Sequence, residues 1–474
     1  MTPRLARRAG AAALAVALAA SPALAWESQT THAGLAEQAA LASHLHARLR
    51  GLGFTRGLYE PLTMPPADAP ELIAALRRLD PAGGFVPDNR GRQYALSWLA
   101  AGAALADAPF AANHFFDPTT GKGWQRPGVG LVDSVEESVV ERLGRASIPD
   151  RGVPAPDWVV AKDNPLGLDG FLDQYAKAVR ASTPGERSRH MAGALVAAGA
   201  ILHVLADMGS PSHVRGDTAA HFDPVGRGRD DLGSRFERIA ALAWGRLGVP
   251  APSRVVTRPT LRAFFTGPGT GTGAEVGLAD ATAGRWFSPH TLPRPMRITA
   301  AVGRTQVTPQ LVRPKPAPPA RLNLMAASQE QGATLDDADG TCLSRYRVAH
   351  GLLTWWLDDD CLLEQAAAIL PEVASFEAGL LEFLFRGELN VQVNGGDVAV
   401  SAATPLGAGD VEILAEDSRG VRTPVATVKS QAATTGAALA RAAAPAGAVR
   451  LIALFRGADA AGEPVIAVGA ADRK

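Results

Sequence analysis

The run His203-Val-Leu-Ala-Asp207-Met-Gly-Ser-Pro-Ser-His213 gathers three side chains that bind cations or move protons. His203 and Asp207 stand four residues apart, which on a helix puts them on one face, one turn apart. Gly209 and Pro211 end such a helix, and His213 follows on the turn, able to fold back toward the same face. Two imidazoles and a carboxylate converging on a point make a metal site that needs further donors. The same spacing also suits a core histidine hydrogen-bonded to its aspartate, with His213 on a surface loop.

The element that must position this trio is the helix before it. Met191–Leu202 is apolar on every side, so the helix is expected to be buried all round. Thr183-Pro184-Gly185-Glu186 marks its start as a capping box with proline at the first helical position. A carboxylate at the end of a buried helix is costly unless a cation or a donor meets it.

At 474 residues the chain is long enough for two or three domains. Its 47% hydrophobic content is swollen by alanine and does not by itself signal a membrane protein. Lys+Arg and Asp+Glu balance at 47 each, which argues against nucleic acid or membrane gripped by bulk charge. Residues 1–25 read as a signal peptide, with Arg4, Arg7 and Arg8, an apolar run from Ala9 to Ala20, and Ala23-Leu24-Ala25 before a cut between Ala25 and Trp26. The expected location is secreted or periplasmic, and the processed chain carries 44 basic and 47 acidic residues, a net charge of −3. No cysteine follows the cleavage motif to take a lipid anchor. No later run of 18 apolar residues lacks a polar interruption, so no transmembrane helix is expected. Cys342 and Cys361 would meet an oxidising environment, where a disulfide closing their short loop fits. Any metal must then be held by His, Asp, Glu and backbone.

The processed chain begins Trp26-Glu-Ser-Gln-Thr-Thr-His32. A free terminal amine beside its own carbonyl chelates a metal in a five-membered ring. His32, on a helix capped by Thr31 and stopped by Gly51, is a second donor within reach. A mobile terminus is the commoner fate of first residues. His44 and His46, flanked by Arg48 and Arg50, read as surface, and Gly51 to Arg90 reads as a Pro- and Gly-rich loop. Tyr94 to Ala106 reads as an apolar helix ending at Asp107-Ala-Pro109. The tight loop Asn113-His114-Phe-Phe-Asp117-Pro-Thr-Thr-Gly121 follows, so Asp107 and His114 form a second ligand pair. Beyond the central helix lie Asp217 and His221, then Asp230-Asp231-Leu-Gly233-Ser-Arg-Phe236-Glu237, opening a helix to about Leu247. Glu237 there either favours the helix macrodipole or acts as a carboxylate ligand.

From Pro250 to Asp336 regularity is poor, and the Gly267–Gly271 cluster lacks the strand and Lys-Ser/Thr of a phosphate loop. Helical patterning returns between Cys342 and Arg386, with Ser375–Phe385 as an amphipathic packing helix and His350 structural. Beyond Gly387 the period changes from 3.6 to 2. Leu389–Val393, an Asn394-Gly395 turn and Asp397–Val400 make a hairpin. Strand-like runs follow at Val411–Leu414, Val425–Val428, Val449–Phe455 and Val465–Val468, the spacing of a small β-sandwich. The expected fold is mainly α. An all-helical metal-binding hydrolase domain (26–387, with the irregular segment 250–336) follows the signal peptide, and a C-terminal β-sandwich accessory domain (388–474) completes the chain.

Taken together, Trp26, His32, Asp107, His114, His203, Asp207, His213 and Glu237 resemble the ligands of the zinc-dependent phospholipase C family. That family includes bacterial alpha-toxins and is related to zinc-dependent single-strand nucleases. The likeness rests on a mature chain starting with Trp, a His on the first helix, an Asp followed by His114-Phe-Phe-Asp-Pro118, and the spacing of His203, Asp207 and His213. It covers residues 26–250 and, more loosely, the helices up to 387, and leaves the β domain out. It implies a cluster of two or three zinc ions. Asp107, His114, His203 and Asp207 would hold one zinc. Trp26, His32 and a bridging Asp207 would hold a second, and His213 and Glu237 belong to the third. The family has a histidine four residues before the Glu, where this chain has Gly233, so either a residue of the neighbouring loop stands in (His221 or Asp217 by proximity, or Asp230 or Asp231) or the third zinc is weak or missing. The implied activity is hydrolysis of a phosphoric ester, most naturally a phospholipid headgroup bond, by a metal-activated water. Asp107 would accept a proton, unless a metal-bridging hydroxide needs no base, and Glu237 would orient the leaving group or only bind metal. A phospholipid substrate implies peripheral contact with a membrane surface. One rival is a nuclease on the same scaffold. It would need stacking aromatics, and with 6% aromatic residues no such platform is identifiable. The other is a non-catalytic exported zinc protein whose β-sandwich binds a surface.

Overall fold

A computed structural model describes residues 28–79, 84, 86–106, 111–125, 151–222, 234–267, 276–298, 304–307 and 320–473. Residues 1–25, read as a signal peptide, lie outside the described residues, as do Trp26, Asp107, Asp230, Asp231 and Gly233 and the side chain of His221. Six main helices frame the site: α1 (Ala33–Ala42), α2 (Ala95–Leu105), α3 (Leu168–Arg180), α4 (Pro184–Ala206), α5 (Arg235–Trp244) and α6 (Asp359–Leu384).

The start of α4 follows from its sequence. The Thr183 hydroxyl accepts the Glu186 N–H at 3.3 Å, and the Glu186 carboxylate accepts the Thr183 N–H at 3.1 Å, satisfying two donors that a helix start leaves open. Pro184 takes the first helical position. From Ala194 to Ala206 every residue is buried. By length and composition alone this helix could cross a membrane, yet 94% of its apolar window is covered by the protein itself. It is the core helix, with α2, α3 and α6 packed around it.

Small residues let α2 and α4 touch backbone to backbone. A Cβ on Gly102 would lie 2.0 Å from the Val196 carbonyl oxygen, and one on Gly199 would lie 2.0 Å from that of Leu99. Only glycine permits this approach.

The expected all-helical domain is corrected by β structure within it. The presumed loop between Gly51 and Arg90 holds a helix, Pro70–Leu79, which buries Ile73 and Leu76 three residues apart. It also holds β1 (Pro61–Thr63), paired with β2 (Arg92–Tyr94). The segment 250–336 contains the short helices Leu261–Phe265 and Leu278–Arg285 and the strands β3 (Met296–Arg297), β4 (Arg304–Val307), β5 (Ala320–Asn323) and β6 (Ala333–Asp336). Elements this short do not repeat a 3.6 period often enough to be seen. The helical patterning expected from Cys342 begins only at α6. Before it comes an antiparallel hairpin, β7 (Cys342–Ala349) and β8 (Leu352–Trp356), with Cys342, Ser344 and Tyr346 buried in alternation. The order β3-β8-β7-β6 makes a four-stranded sheet. The Cys342–Cys361 disulfide forms as expected and ties β7 to the first turn of α6. Asp358 caps that turn by accepting the Cys361 N–H at 2.9 Å.

Past α6 the chain is all strand: β9 (Leu389–Asn394), β10 (Asp397–Ala402), β11 (Leu406–Glu416), β12 (Arg422–Ser430), β13 (Ala438–Ala443), β14 (Arg450–Asp459) and β15 (Pro464–Asp472). They form antiparallel sheets in the orders β13-β10-β9 and β12-β11-β14-β15, which share a core of Val398, Val400, Ile413, Leu451 and Phe455. Asn394 pairs with Asp397, so the hairpin turn is Gly395-Gly396, one residue later than expected, with Gly395 at φ +61°. On β14 the alternate residues Ile452 and Leu454 join the helical core instead, so this strand is buried on both faces. Arg422, itself buried, fastens the layers. Its guanidinium donates to the Val179 carbonyl on α3 (2.6 Å) and to Glu416 on β11 (2.7 Å).

Candidate metal centre

Asp207 is the common partner of three imidazoles. It sits in the 3₁₀ turn Asp207–Gly209 that finishes α4, and it is fully buried. His32 approaches from the turn leading into α1, its Nε2 3.3 Å from Asp207 Oδ1. His203, one turn earlier on α4, places its Nε2 3.3 Å from Asp207 Oδ2. His114, on the 3₁₀ turn Ala111–His114 after α2, places its Nδ1 2.9 Å from the same oxygen. The His32 and His203 rings stack with centroids 3.5 Å apart.

The ring of His203 is held from behind. Its Nδ1 donates to the Ala103 carbonyl at 2.6 Å, a contact possible because α2 and α4 meet at Gly102 and Gly199. That bond fixes the tautomer and leaves Nε2 to face the cluster, the usual arrangement behind a metal-ligating histidine. Burial alone would raise the Asp207 pKa. The imidazoles of His203, His213 and His32, and a hydrogen bond from His114, outweigh it and hold the carboxyl well below its ordinary range.

A second pair adjoins this cluster. His213 lies in the short helix Pro211–Val214, where the sequence suggested only a turn, because Pro211 starts a helix as readily as it ends one. Its Nδ1 donates to the His114 carbonyl at 2.8 Å, its ring stacks on Phe115, and its Nε2 stands 3.4 Å from Glu237 Oε1. Burial opposes charge on His213, but Asp207 and Glu237 prevail and raise its pKa. Glu237 is both cap and partner. Oε2 accepts the Ser234 N–H (2.9 Å) in the capping box of α5, while Oε1 accepts the Ser210 hydroxyl (2.7 Å). Asp217 accepts both the backbone N–H and the ring Nδ1–H of His290, each at 2.9 Å.

Ligand-capable atoms of His32, His203 and Asp207 all lie within 4.8 Å of one another, and these buried residues could bind a metal ion. The 3.3 Å spacings of His32 and His203 from Asp207 fit zinc, whereas the 2.9 Å contact of His114 is at hydrogen-bond distance. Donors 2.0–2.2 Å from a tetrahedral zinc stand roughly 3.3–3.6 Å apart. The two oxygens of Asp207 turn toward different histidines, Oδ1 to His32 and Oδ2 to His203 and His114.

One titratable group here was not anticipated from the sequence. Glu377, on α6, is fully buried, and neither carboxylate oxygen accepts a hydrogen bond from any described residue. Burial, reinforced by Asp207 and opposed by His203, raises its pKa well above the carboxylate range. The available signal was a lone Glu amid Val373, Ala374, Leu380 and Leu381, all buried on the same helix.

No protein-family model matches the sequence, and comparison with curated proteins finds no match. Among solved structures the chain is similar to an alpha toxin from Clostridium absonum. The identity is 11%, the match covers 95% of this chain and 96% of that one, and the TM-score is 0.28. At that score the likeness carries no weight beside the geometry of the residues themselves.

Proposed function

We propose that this chain is an exported, zinc-dependent phosphodiester hydrolase of the phospholipase C type. The observation that carries the reading is the convergence of His32, His114 and His203 on the two oxygens of Asp207 at 2.9–3.3 Å. A buried carboxylate shared among imidazoles at ligand spacing is what a pair of closely set cations requires. Processing between Ala25 and Trp26 would add the terminal amine and carbonyl, and Asp107 a further carboxylate. The disulfide supports an oxidising compartment.

When bound, zinc supplies Lewis acidity, making water acidic enough to react near neutral pH and offsetting charge on the phosphate. The chain's own residues do the positioning. Asp207 would bridge, with His32 on one side and His114 and His203 on the other. Ala103 locks the tautomer of His203, and the His114 carbonyl locks that of His213. Ser210 and Ser234 hold Glu237 beside His213, where it orients the leaving group. Asp107 accepts a proton from water.

The test is hydrolysis of phosphatidylcholine and of single-stranded DNA by the processed, zinc-loaded chain, with H203A as control. Release of the phosphorylated headgroup, lost in H203A, is the expected result. Cleavage of DNA instead would make it a nuclease, and turnover of neither with zinc retained would make the zinc structural.

A further inference from the structure

Glu377 has no role in the ligand set inferred from the sequence motifs. Its position is fixed from both ends of α6: the Cys342–Cys361 disulfide and the Asp358 cap hold the first turn, and Gly379 lies flush against the backbone of Val256. Val373, one turn before Glu377 on the same face, is the residue a Cβ on Gly209 would strike, at 2.3 Å. Gly209 closes the very turn that Asp207 opens. Glu377 therefore lies on the face of α6 turned toward the end of α4 that carries His203 and Asp207.

A fully buried carboxyl that accepts no hydrogen bond from a described residue is costly to ionise. A cation beside it removes the cost. Among the described residues the group of His32, His203 and Asp207 offers a cation one carboxylate, so a second one nearby offsets charge that would otherwise stand in a dry interior. We propose that Glu377 belongs to the metal centre, as an oxygen donor that α6 presents to the cation held by His203 and Asp207, directly or through one water.

This rests on the reading of His32, His203 and Asp207 as a metal site, and the experiment separates the two. The processed chain, stripped with a chelator, is titrated with zinc against a chromophoric competitor, and its cobalt(II) form is examined by visible absorption. Wild type, E377Q, E377L and H203A are compared, with circular dichroism confirming the fold. The expected result is zinc binding by wild type, weakened about 10- to 100-fold in whichever of E377Q and E377L is folded, with a shifted cobalt spectrum. If those variants bind zinc within twofold of wild type and leave the cobalt spectrum unchanged while H203A loses the metal, Glu377 is no donor and the metal site stands. If wild type binds neither metal, both ideas fall.

Discussion

The Nδ1–H of His203 donates to the carbonyl oxygen of Ala103 over 2.6 Å, joining the last turn of α4 to the backbone of α2. Gly102 and Gly199 make this bond possible, because any side chain there would wedge the two helices apart. G102A and G199A should each lower stability by about 1–3 kcal/mol in urea unfolding, through overpacking. Both should also weaken zinc binding, because His203 loses its anchor. G185A, at a position with open space around it, is the control and should do neither.

Asp207→Asn tests the bridge. An amide keeps the shape but cannot serve two cations, so D207N should lose more than one equivalent of zinc in elemental analysis. Zinc content equal to wild type would remove Asp207 from the bridging role. The acid side should change as well. The folded pKa of Asp207 lies well below 3.8, so it contributes stability above that value and loses it as the pH falls through the folded pKa. Metal-free D207N should lack that part of the acid-induced loss.

Glu377 acts with the opposite sign. Its folded pKa lies well above 4.5, so the unfolded chain gives up this proton at a lower pH than the folded chain does. Its contribution to stability therefore declines as the pH rises above 4.5, until the folded group ionises. In the presence of a chelator, the melting temperature of E377Q relative to wild type should climb steadily from pH 5 to 8. A difference that stays flat across that range would contradict the assignment of a buried, ionisable group.

Reducing the Cys342–Cys361 bond, or replacing both cysteines with alanine, should lower the unfolding free energy by about 2–4 kcal/mol in denaturant titration, as expected for closing a loop of this length. The same change frees the first turn of α6 from β7.

The parts of the molecule legible in the sequence are those where several local signals coincide. Thr183, Pro184 and Glu186 announce α4, and its unbroken apolar run announces its burial. The strand through Leu451–Phe455 is visible because both of its faces are apolar. The Ala438–Ala443 strand is not, since alanine carries little β preference and the edge position is decided by packing. Cys342–Trp356 reads as helix in the sequence because eight- and five-residue strands joined by a tight turn mimic a broken helical stripe. At the site, the i,i+4 spacing of His203 and Asp207 is a local fact and could be read directly. Glu377 could not, because one acidic residue on a packing helix looks like the edge of its polar face until the neighbouring helices are known. The pairing of Asp217 with His290 depends likewise on two loops brought together only by the fold.

His32 opens α1, and α1 lies against α6, which begins only at residue 359. A chain growing from its amino end holds these imidazoles in an open-sided trough until its last quarter is made. A cation at His32, His203 and Asp207 would be enclosed only once α6 is in place, so a chain truncated ahead of α6 should retain less metal than the whole chain.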